Sequence, residues 1–584
     1  MNFSRLLQRA QLLFLRLTGL SVLTTENYVL LVAIATGLLA GLGAALFVYA
    51  LEGVHGGLAA TVESRLRALG LGPSAVIFIP ALGGLVVGPL IARFAPEARG
   101  HGVPEVMTAV ATRGGIMKAR VAVVKILASA ITIGTGGSVG QEGPMVQIGA
   151  ASASALAQRL KVPATHMRTI VACGAAGGLA AVFNAPIGGA MFALEVITGE
   201  LTPAFGAVIL SSVSATVVSR GLFGNRPAFL VPQYDLVSTR ELALYAVLGI
   251  LAGLASAAFI RLLYRLEDRV ARWQFPPRYK PVIGGLLIGI MGRFVPEIFG
   301  TGYGTVEEAI WGRMLPTTLA LLVVMKMAAT SVTLAFGGSG GVFGPSMFIG
   351  AMLGGAFGWA AHALFPSVVA GSGAYALVGM GAVVGGTSLA PLTAIVLLFE
   401  MTDDYRVILP AMGATVLSVV VVRLLIGESI YTLRLRAENI PYYPNVELAR
   451  AHALSVREAM RTDVPSVSPG ATATAALALA ARSRAAALPV ADEDGQVIGV
   501  VSLEALSEAV SSERPLAIMS ELMTDAAAVR ALETDRLDGV LARFSQTDHD
   551  TLVVVPDAGS RRISGIVSRR DVLRFYERVL RHGA

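Results

Sequence analysis

Gly-Gly-Ser-Val-Gly-Gln-Glu-Gly-Pro-Met-Val-Gln-Ile-Gly-Ala occupies Gly136–Ala150, and 201 residues later Gly-Gly-Ser-Gly-Gly-Val-Phe-Gly-Pro-Ser-Met-Phe-Ile-Gly-Ala occupies Gly337–Ala351. Nine of the fifteen positions are identical, and Lys125 and Lys326 precede the two stretches at the same offset. A glycine-rich break inside an apolar segment frees backbone N–H groups where no water can bind them. Such breaks persist where the freed groups line a cavity or bind a ligand, and a matched pair in two halves of a chain points to a transport site. The repeated stretch therefore predicts a membrane protein that transports a small ion.

Two further blocks extend the repeat in the same order. Arg93–Glu97 with Gly100 and Gly102 matches Arg293–Glu297 with Gly300 and Gly302, and Ala185-Pro186 with Glu195 matches Ala390-Pro391 with Glu400. A duplicated unit of roughly 200 residues is much longer than a solenoid repeat. We predict one repeat over about 76–222 and a second over about 277–426. The sequence does not give their relative orientation, but an inverted pair is the usual solution for a site built at a repeat interface.

Composition predicts an all-α polytopic membrane domain over 25–436, because 54% of residues are hydrophobic and only 15% are charged. Several apolar runs reach the ~20 residues that span a bilayer, whereas others are short or interrupted by Gly and Pro. Tilted and broken helices are therefore expected. Residues 1–24 carry Arg5, Arg9 and Arg16 among leucines, which predicts a cytoplasmic amphipathic helix and not a signal peptide.

The net charge of +7 is typical of basic cytoplasmic loops and forms no stripe with aromatic residues, so no nucleic-acid partner is expected. Cys173 is the single cysteine, which leaves no disulfide or thiolate metal site within one chain. No metal is therefore predicted.

The composition becomes that of a soluble protein after a charged linker at 437–455. Two βαβ-like units follow, at 456–510 and 518–580. The first is predicted to have a helix at Thr472–Arg484 and strands at Ala487–Val490 and Val497–Val501. The second is predicted to have a helix at Asp535–Phe544 and strands at Leu552–Val555 and Ile563–Val567.

The two units resemble a pair of CBS (cystathionine β-synthase) modules, because they end in Gly-Val-Val-Ser at Gly499–Ser502 and Gly-Ile-Val-Ser-Arg-Arg-Asp at Gly565–Asp571. The resemblance implies that Ser568 and Asp571 hold the ribose and phosphates of an adenine nucleotide such as ATP, ADP or AMP. In the first unit Ser502 is present but Ala505 replaces the aspartate. The alternative is that these residues only cap a helix. No cofactor is required for transport in either case.

Residues 25–435 resemble the CLC family of chloride channels and anion/proton antiporters. Gly-His-Gly-Val-Pro-Glu at Gly100–Glu105 is similar to the family's G-S-G-I-P, Gly-Gln-Glu-Gly-Pro at Gly140–Pro144 to G-[KR]-E-G-P, and Gly-Val-Phe-Gly-Pro at Gly341–Pro345 to G-x-F-x-P. Each motif is typical of a helix start, because small residues are followed by a proline early in the helix. The prolines are Pro104, Pro144 and Pro345, and their small or apolar neighbours include Val103, Gly143 and Gly344. Helix N-termini carry about half a positive charge each and bind anions at moderate strength.

The resemblance implies the residues of the site. Backbone N–H groups of Val342 and Phe343 and the side chain of His101, together with Gly102, bind the anion, and Tyr431 is the inner gate. Tyr431 is otherwise an aromatic anchor at the membrane interface. His101 stands where the family usually has Ser, and its imidazole is either an anion ligand that titrates near neutral pH or a side chain satisfied by backbone carbonyls.

Glu142 is the predicted gate. A charged side chain at membrane depth costs about 2.5–3.5 kcal/mol on insertion scales, so it is rarely accidental. An ionised Glu142 would occupy the outer anion position and leave it on protonation. The second repeat has Phe343 at this position, so the repeat does not need the charge. The alternative is an N-terminal Glu that only complements the helix dipole.

Proton-coupled members carry an inner glutamate thirteen residues after the Phe of the F-N-A-P motif. Counting from Phe183 reaches Val196, and a supporting acidic position reads Ala111. This pattern favours a passive chloride channel, with chloride/proton antiport as the alternative. Glu195, next to Val196, would be a substitute proton relay, although its match to Glu400 indicates a structural role.

Another class of protein remains to be weighed. Gly337-Gly338-Ser339-Gly340 fits the G-x-S-G of intramembrane serine proteases, with His101, His166 or His362 as a base. Ser138 repeats the motif, and neither the duplication nor the tail suits that family, so we predict that the protein is not an enzyme. A cation transporter is disfavoured because intramembrane acidic clusters are missing. The family resemblance further implies a homodimer in the cell membrane, with the N-terminus and the CBS modules cytoplasmic.

Overall fold

A computed structural model of the chain describes residues 25–199, 205–234, 237–440, 454–483, 485–512, 514–525, 529–546 and 550–582. The chain divides into two compact units that meet between residues 442 and 443. The predicted N-terminal helix at 1–24 and most of the predicted linker lie outside the described residues.

The first unit is helical through nearly all of its described residues. Its α-helices are α1 (Thr25–Glu52), α2 (Ala60–Leu66), α3 (Ile79–Phe94), α4 (Val103–Arg113), α5 (Ala119–Gly134), α6 (Glu142–Leu160), α7 (Ala164–Phe183), α8 (Pro186–Phe192), α9 (Phe205–Phe223), α10 (Glu241–Arg272), α11 (Lys280–Phe294), α12 (Tyr303–Ile310), α13 (Pro316–Ala335), α14 (Phe343–Leu364), α15 (Ser372–Ser388), α16 (Pro391–Thr402), α17 (Ile408–Leu425) and α18 (Thr432–Ala437). A π-helical segment, Ala193–Thr198, extends α8.

The duplication is visible in the order of the helices, because α3–α9 recur as α11–α17 at the positions that the matched sequence blocks give. Seven helical segments among the described residues are long and apolar enough to cross a membrane, whereas α3, α8 with its extension, and α16 are shorter. The prediction of an all-α domain with broken helices is confirmed.

Glycine contacts bring the same helix pairs together in both halves. A Cβ atom added to Gly149 of α6 would lie 2.0 Å from the Gly174 carbonyl oxygen of α7, and one added to Gly350 of α14 would lie 2.3 Å from the Gly379 oxygen of α15. Small residues at such crossings let helix backbones approach inside a membrane. The abundant glycine of the sequence therefore builds the interior that surrounds the site.

The second unit contains two three-stranded sheets. The first holds β1 (Ala487–Ala491), β2 (Val497–Ser502) and β3 (Thr524–Asp525), in that order and antiparallel. The second holds β4 (Arg530–Leu532), β5 (Thr551–Val555) and β6 (Gly565–Ser568), with β4 parallel to β5 and β6 antiparallel to it. The helices are α19 (Val456–Ala459), α20 (Ala473–Ser483), α21 (Leu503–Ser511), α22 (Met519–Leu522), α23 (Leu537–Gln546) and α24 (Arg569–His582).

Three predicted boundaries in this unit differ by two residues: both ends of the helix predicted at Asp535–Phe544, which runs Leu537–Gln546, and the start of the last strand. The helix predicted from Asp535 begins at Leu537, because the Asp535 carboxylate accepts from the Leu532 N–H at 3.0 Å and closes a turn. The last strand begins at Gly565 and not at Ile563, since the chain joins β5 only where the Ser564 N–H bonds to the Val554 oxygen.

Candidate functional site

The two glycine-rich stretches meet at equivalent residues. The Gly140 N–H donates to the Gly341 oxygen at 2.8 Å, and the Gly341 N–H donates to the Gly140 oxygen at 2.6 Å, in an antiparallel bridge. Reciprocal bonds between equivalent residues define a local two-fold relation between the repeats. The N-termini of α6 and α14, which each begin two residues later, are therefore held side by side.

The Glu142 side chain lies between these two N-termini. It is the first residue of α6 and is 1% exposed. Its carboxylate accepts from the Gly344 N–H at 3.1 Å and from the Tyr303 hydroxyl. Cβ atoms added to Gly140 and Gly344 would lie 2.0 and 2.7 Å from the carboxylate, so a larger residue at either position would displace the Glu142 side chain from where it lies. A carboxylate thus occupies the first turn of α14, where free N–H groups and the helix dipole favour an anion.

Three of the predicted anion-site residues share an apolar neighbourhood. The ring of Phe343, the first residue of α14, lies 6.3 Å from the ring of Phe192, and Phe192 lies 6.3 Å from the ring of Tyr431. Tyr431 is only 2% exposed and Val342 1%. The structure therefore brings Val342, Phe343 and Tyr431 to one region, although Tyr431 follows Phe343 by 88 residues in the sequence.

His101 presents its backbone to the site and its ring to a neighbouring cavity. An added Cβ on Gly143 would lie 2.0 Å from the His101 carbonyl oxygen, so this backbone packs on the residue after Glu142. The ring Nε2 lies 3.5 Å from the Glu267 Oε1, and the ring packs edge-on at 6.4 Å from Tyr264. Gly102, with a φ of 87°, takes the left-handed conformation that turns the chain into α4.

Two buried lysines hold the loops that precede α4 and α12. Lys125 Nζ donates to the Ala98 and Gly100 oxygens at 3.0 and 2.9 Å. Lys326 Nζ donates to the Ile298 and Gly300 oxygens at 3.1 and 2.9 Å. The matched lysines therefore fix the loops and satisfy their carbonyls at the same place in each repeat.

Glu195 of the first repeat caps a helix of the second repeat, and Glu400 of the second repeat caps a helix of the first. The Glu195 carboxylate accepts from the Thr393 N–H and hydroxyl, both at 2.7 Å, at the start of α16. The Glu400 carboxylate accepts from the Gly188 N–H at 2.6 Å and the Ile187 N–H at 3.0 Å, at the start of α8. These bonds support the structural role that the sequence match of the two glutamates indicates. They also engage the Glu195 carboxylate, which the sequence analysis considered as a substitute proton relay.

Ser339 has the partners of a structural hydroxyl. Its Oγ donates to the Ala98 oxygen at 2.9 Å and lies 2.9 Å from the Ser129 Oγ, and its N–H donates to the Thr132 Oγ1 at 3.3 Å. The equivalent Ser138 N–H donates to Thr333 Oγ1 at 3.1 Å. The G-x-S-G match therefore belongs to the repeat interface.

Tyr303 and Glu267 were missed by the sequence analysis. Tyr303 directly follows Gly302, the glycine matched to Gly102, and this position at a repeated helix start was the signal that was available. Glu267 stands in the charged last turns of α10, where solvent exposure is the ordinary expectation. Only the packing of α10 against His101 distinguishes it.

The CBS-like residues form two helix caps. Ser502 Oγ accepts from the Ala505 N–H at 3.1 Å. Ser568 Oγ donates to the Asp571 Oδ2 at 2.6 Å and accepts from the Asp571 N–H at 3.1 Å. Ser568 and Asp571 also border a cavity of about 710 Å³ with Arg461, Arg569, Arg570 and Arg574.

The duplicated helices, the paired glycine-rich loops and the buried carboxylate between two helix N-termini define a membrane protein that transports anions. Known proteins agree with this class. A family profile described as voltage gated chloride channel matches residues 83–423, and a CBS domain profile matches 456–512 and 519–578. The chain belongs to the voltage-gated chloride channel, or CLC, family, and its second unit is a pair of CBS domains.

Three similar proteins show the range of the family. A ClcB-like chloride channel protein of Ralstonia nicotianae is 37% identical over 360 residues, which are 61% of this chain and 84% of the relative. The H⁺/Cl⁻ exchange transporter ClcA of Vibrio campbellii is 33% identical over 421 residues, 70% of this chain and 89% of that protein. The crystal structure of a slow cyanobacterial Cl⁻/H⁺ antiporter matches with a TM-score of 0.65 and 29% identity, over 72% of this chain and 99% of that one.

Family membership establishes anion transport, confirms that the protein is not an enzyme, and makes it a multi-pass membrane protein. The protease alternative is thereby excluded. The preference for a passive channel is less well supported than its alternative, because similar proteins are named exchange transporters and antiporters.

Proposed function

We propose that the protein exchanges chloride, or a similar small monovalent anion, for protons across a membrane. The observation that carries this proposal is the Glu142 carboxylate at the N-terminus of α14, bonded by the Gly344 N–H at 3.1 Å and by the Tyr303 hydroxyl. An ionised carboxylate at an anion site competes with chloride, and a protonated one does not. One residue thereby links the occupancy of the site to a proton.

In this proposal Glu142 is the gate, and the first-turn N–H groups of Val342 and Phe343 bind the anion because helix N-termini have no intrahelical partners for them. Tyr431 closes the inner side of the apolar region beside Phe343. The segment His101-Gly102 supplies the wall next to Gly143. A site of backbone donors binds chloride without a fixed lysine, so release stays fast.

The surroundings follow from the family and the sequence. We propose a homodimer in the cell membrane in which each chain has its own pathway, with the N-terminus and CBS pair cytoplasmic. The basic loops of a chain with 46 Lys and Arg against 39 Asp and Glu support cytoplasmic loops of positive charge. The proposed domain limits are 25–436 for the membrane domain, 437–455 for the linker, and 456–510 and 518–580 for the CBS domains.

Reconstitution tests the exchange directly. Proteoliposomes with a chloride gradient, and with voltage held at zero by valinomycin and potassium, are expected to move protons uphill at a fixed ratio to chloride. The coupling arises because each cycle of Glu142 carries a proton through the anion site. A proton-free chloride flux would establish a channel and contradict the proposal. Empty liposomes and a chloride-free isethionate gradient are the controls.

We further propose that the CBS pair binds an adenine nucleotide at the cavity beside Ser568 and Asp571. Four arginines border that cavity, which suits phosphate, and the first CBS domain has Ala505 where the family has an aspartate.

Calorimetric titration of the full-length protein with AMP, ADP and ATP is expected to give one binding event per chain. The exposed pair Arg570→Gln and Arg574→Gln should weaken it, because each charge-assisted phosphate bond contributes about 1.5–3 kcal/mol. Arg482→Gln, on the exposed end of α20, is the matched control and should leave the affinity unchanged. Equal affinity in all three proteins, or no heat at all, would return Ser568 and Asp571 to a capping role only.

A further inference from the structure

A cavity of about 420 Å³ lies on the other side of His101 from the gate. It is bordered by side chains of α4, α6, α10 and α18, including Glu105, Gln147, Glu267 and Arg434. The last of these helices, α18, is followed by the stretch through which the chain leaves the membrane unit. The cavity therefore lies beside the last described helix of the first unit.

Several buried polar atoms around this cavity have no hydrogen-bond partner among the residues that the structure describes. They are both ring nitrogens of His101, Glu97 Oε2, Glu105 Oε2, Gln147 Oε1 and Glu267 Oε2. A buried polar atom without a partner costs about 1–3 kcal/mol, so such atoms are normally satisfied by ordered water. A cavity of this size with several polar groups holds water readily. We call this polar cavity, which has room for water, the hydrated pocket.

His101 and Glu267 form a titratable pair in the pocket. Nε2 of the imidazole lies 3.5 Å from Oε1 of the carboxylate, and the side chains are 5% and 15% exposed. One water or a small movement would join them, and histidine is the side chain whose unperturbed pKa lies nearest neutral pH. The pair can therefore take up a proton from water at the mouth of the pocket and hold it near the gate.

The other polar and charged groups that face the His101–Glu267 pair either have partners of their own or lie at the edge of the pocket. On α18, Arg434 Nη1 lies 3.6 Å from Glu267 Oε2, and Arg434 Nε bonds Glu438 at 2.8 Å. On α5, Lys125 donates to two backbone carbonyls. On α10, the Tyr264 hydroxyl donates to the Ile430 oxygen at 2.5 Å.

The remaining charged residues around the pocket are acidic and basic side chains at its rim. Glu105 of α4 is half-buried at the pocket, and Arg99 and Glu97 border the pocket ahead of α4. Glu97 lies 3.6 Å from Lys118. The rim therefore carries charges of both signs, and Glu267 is the carboxylate in contact with the imidazole.

The pocket lies close to the backbone next to the gate residue Glu142. The His101 carbonyl packs on Gly143, the neighbour of Glu142, and an added Cβ on Gly102 would lie 3.2 Å from Gln147 Oε1, one turn further along α6. The hydrated pocket thus reaches the backbone that carries Glu142. Glu195, by contrast, is bonded to Thr393 at the start of α16.

We infer that the His101–Glu267 pair is the proton-loading site of this exchanger, in place of an inner glutamate at Val196. The inference rests on the proposed chloride/proton exchange. A proton from bulk water binds the pair, passes through pocket water toward Glu142, and leaves on the opposite side, with no other bond made or broken. In this scheme chloride binds beside Phe343 and Tyr431, whereas the proton binds the imidazole–carboxylate pair.

Paired proton and chloride fluxes from proteoliposomes test the site. Glu267→Gln is expected to lower the proton-to-chloride ratio at least about tenfold while chloride still moves, because the amide cannot accept a proton. Glu267→Asp should restore most of the ratio. Glu438→Gln, which removes the exposed acidic partner of the same Arg434, should retain the wild-type ratio.

The outcomes separate the two proposals. If the wild type pumps protons and Glu267→Gln keeps its ratio, the loading site is wrong and exchange stands. If the wild type moves no protons uphill, exchange fails and this inference with it. Should Glu267→Gln not fold, His101→Asn supplies the same comparison, since it keeps a donor of similar size but removes the titratable ring. A wild-type ratio in His101→Asn would then overturn the inference.

Discussion

Glu142→Gln is expected to abolish coupled proton movement while chloride flux continues. The amide keeps the size of the carboxylate and can still face the Gly344 N–H and the Tyr303 hydroxyl, but it cannot carry a proton. Loss of a positioned proton-transfer group typically costs about 10²–10⁴-fold, so the proton flux should fall by at least about a hundredfold. Chloride flux should also lose its dependence on pH. Both fluxes are measured in proteoliposomes.

Glu308→Gln is the matched control for this variant. Glu308 is half exposed and paired with Arg313 at 3.3 Å, away from the site. It should behave as the wild type in both fluxes. A Glu142→Gln protein that still pumped protons at the wild-type ratio would show that the gate is another residue. The proton flux of Tyr303→Phe should lie between those of Glu142→Gln and the wild type, because this change removes one donor to the carboxylate but leaves the proton carrier.

Gly143→Ala is expected to disrupt the site more completely than any change of charge. The new methyl would lie 2.0 Å from the His101 oxygen and 2.9 Å from the Gly341 Cα, and both neighbours are backbone atoms that cannot rotate away. The loop before α4 and the start of α6 would have to separate. Overpacking of a well-packed interior usually costs about 1–3 kcal/mol, and here it also moves the anion site. We expect loss of both fluxes and a lower thermal unfolding midpoint in detergent.

Gly206→Ala makes the same chemical change in open space. Gly206 is exposed on α9, and an added Cβ has no heavy atom within 4 Å. Its unfolding midpoint should equal or slightly exceed that of the wild type, because alanine favours a helix. If Gly143→Ala transported chloride normally, the close approach of α6 to His101 would not be essential to the site.

The sequence predicted the frame of the site because the frame is local and repeated. Glycine followed by an early proline marks a helix start wherever it occurs, and α4, α6 and α14 begin within the predicted motifs at Val103, Glu142 and Phe343. The matched blocks predicted equally well that two halves share one architecture. The burial of Glu142 between them followed from chemistry alone, since a carboxylate in an apolar segment needs donors.

What the sequence did not predict depends on contacts between distant elements. Tyr303 reaches Glu142 across 161 residues, and Glu267 meets His101 across more than that, so no local pattern contains either pair. The preference for a passive channel rested on one local count, and the names of similar proteins support the antiport alternative better. Val196 removed the expected proton position, but a titratable group on another helix is invisible to a motif count.

The exchanged caps of Glu195 and Glu400 have a consequence for biosynthesis. The start of α8 bonds a carboxylate that is 213 residues further along the chain. At about 5–20 residues per second, a ribosome needs roughly 10–40 s to supply it. During that interval the first repeat has uncapped N–H groups on α8 and an unpartnered Glu195, so it cannot complete its fold in lipid alone. Assembly of the two halves is therefore a late step, and a chain truncated before Glu400 should be recognised by membrane quality control as unfinished.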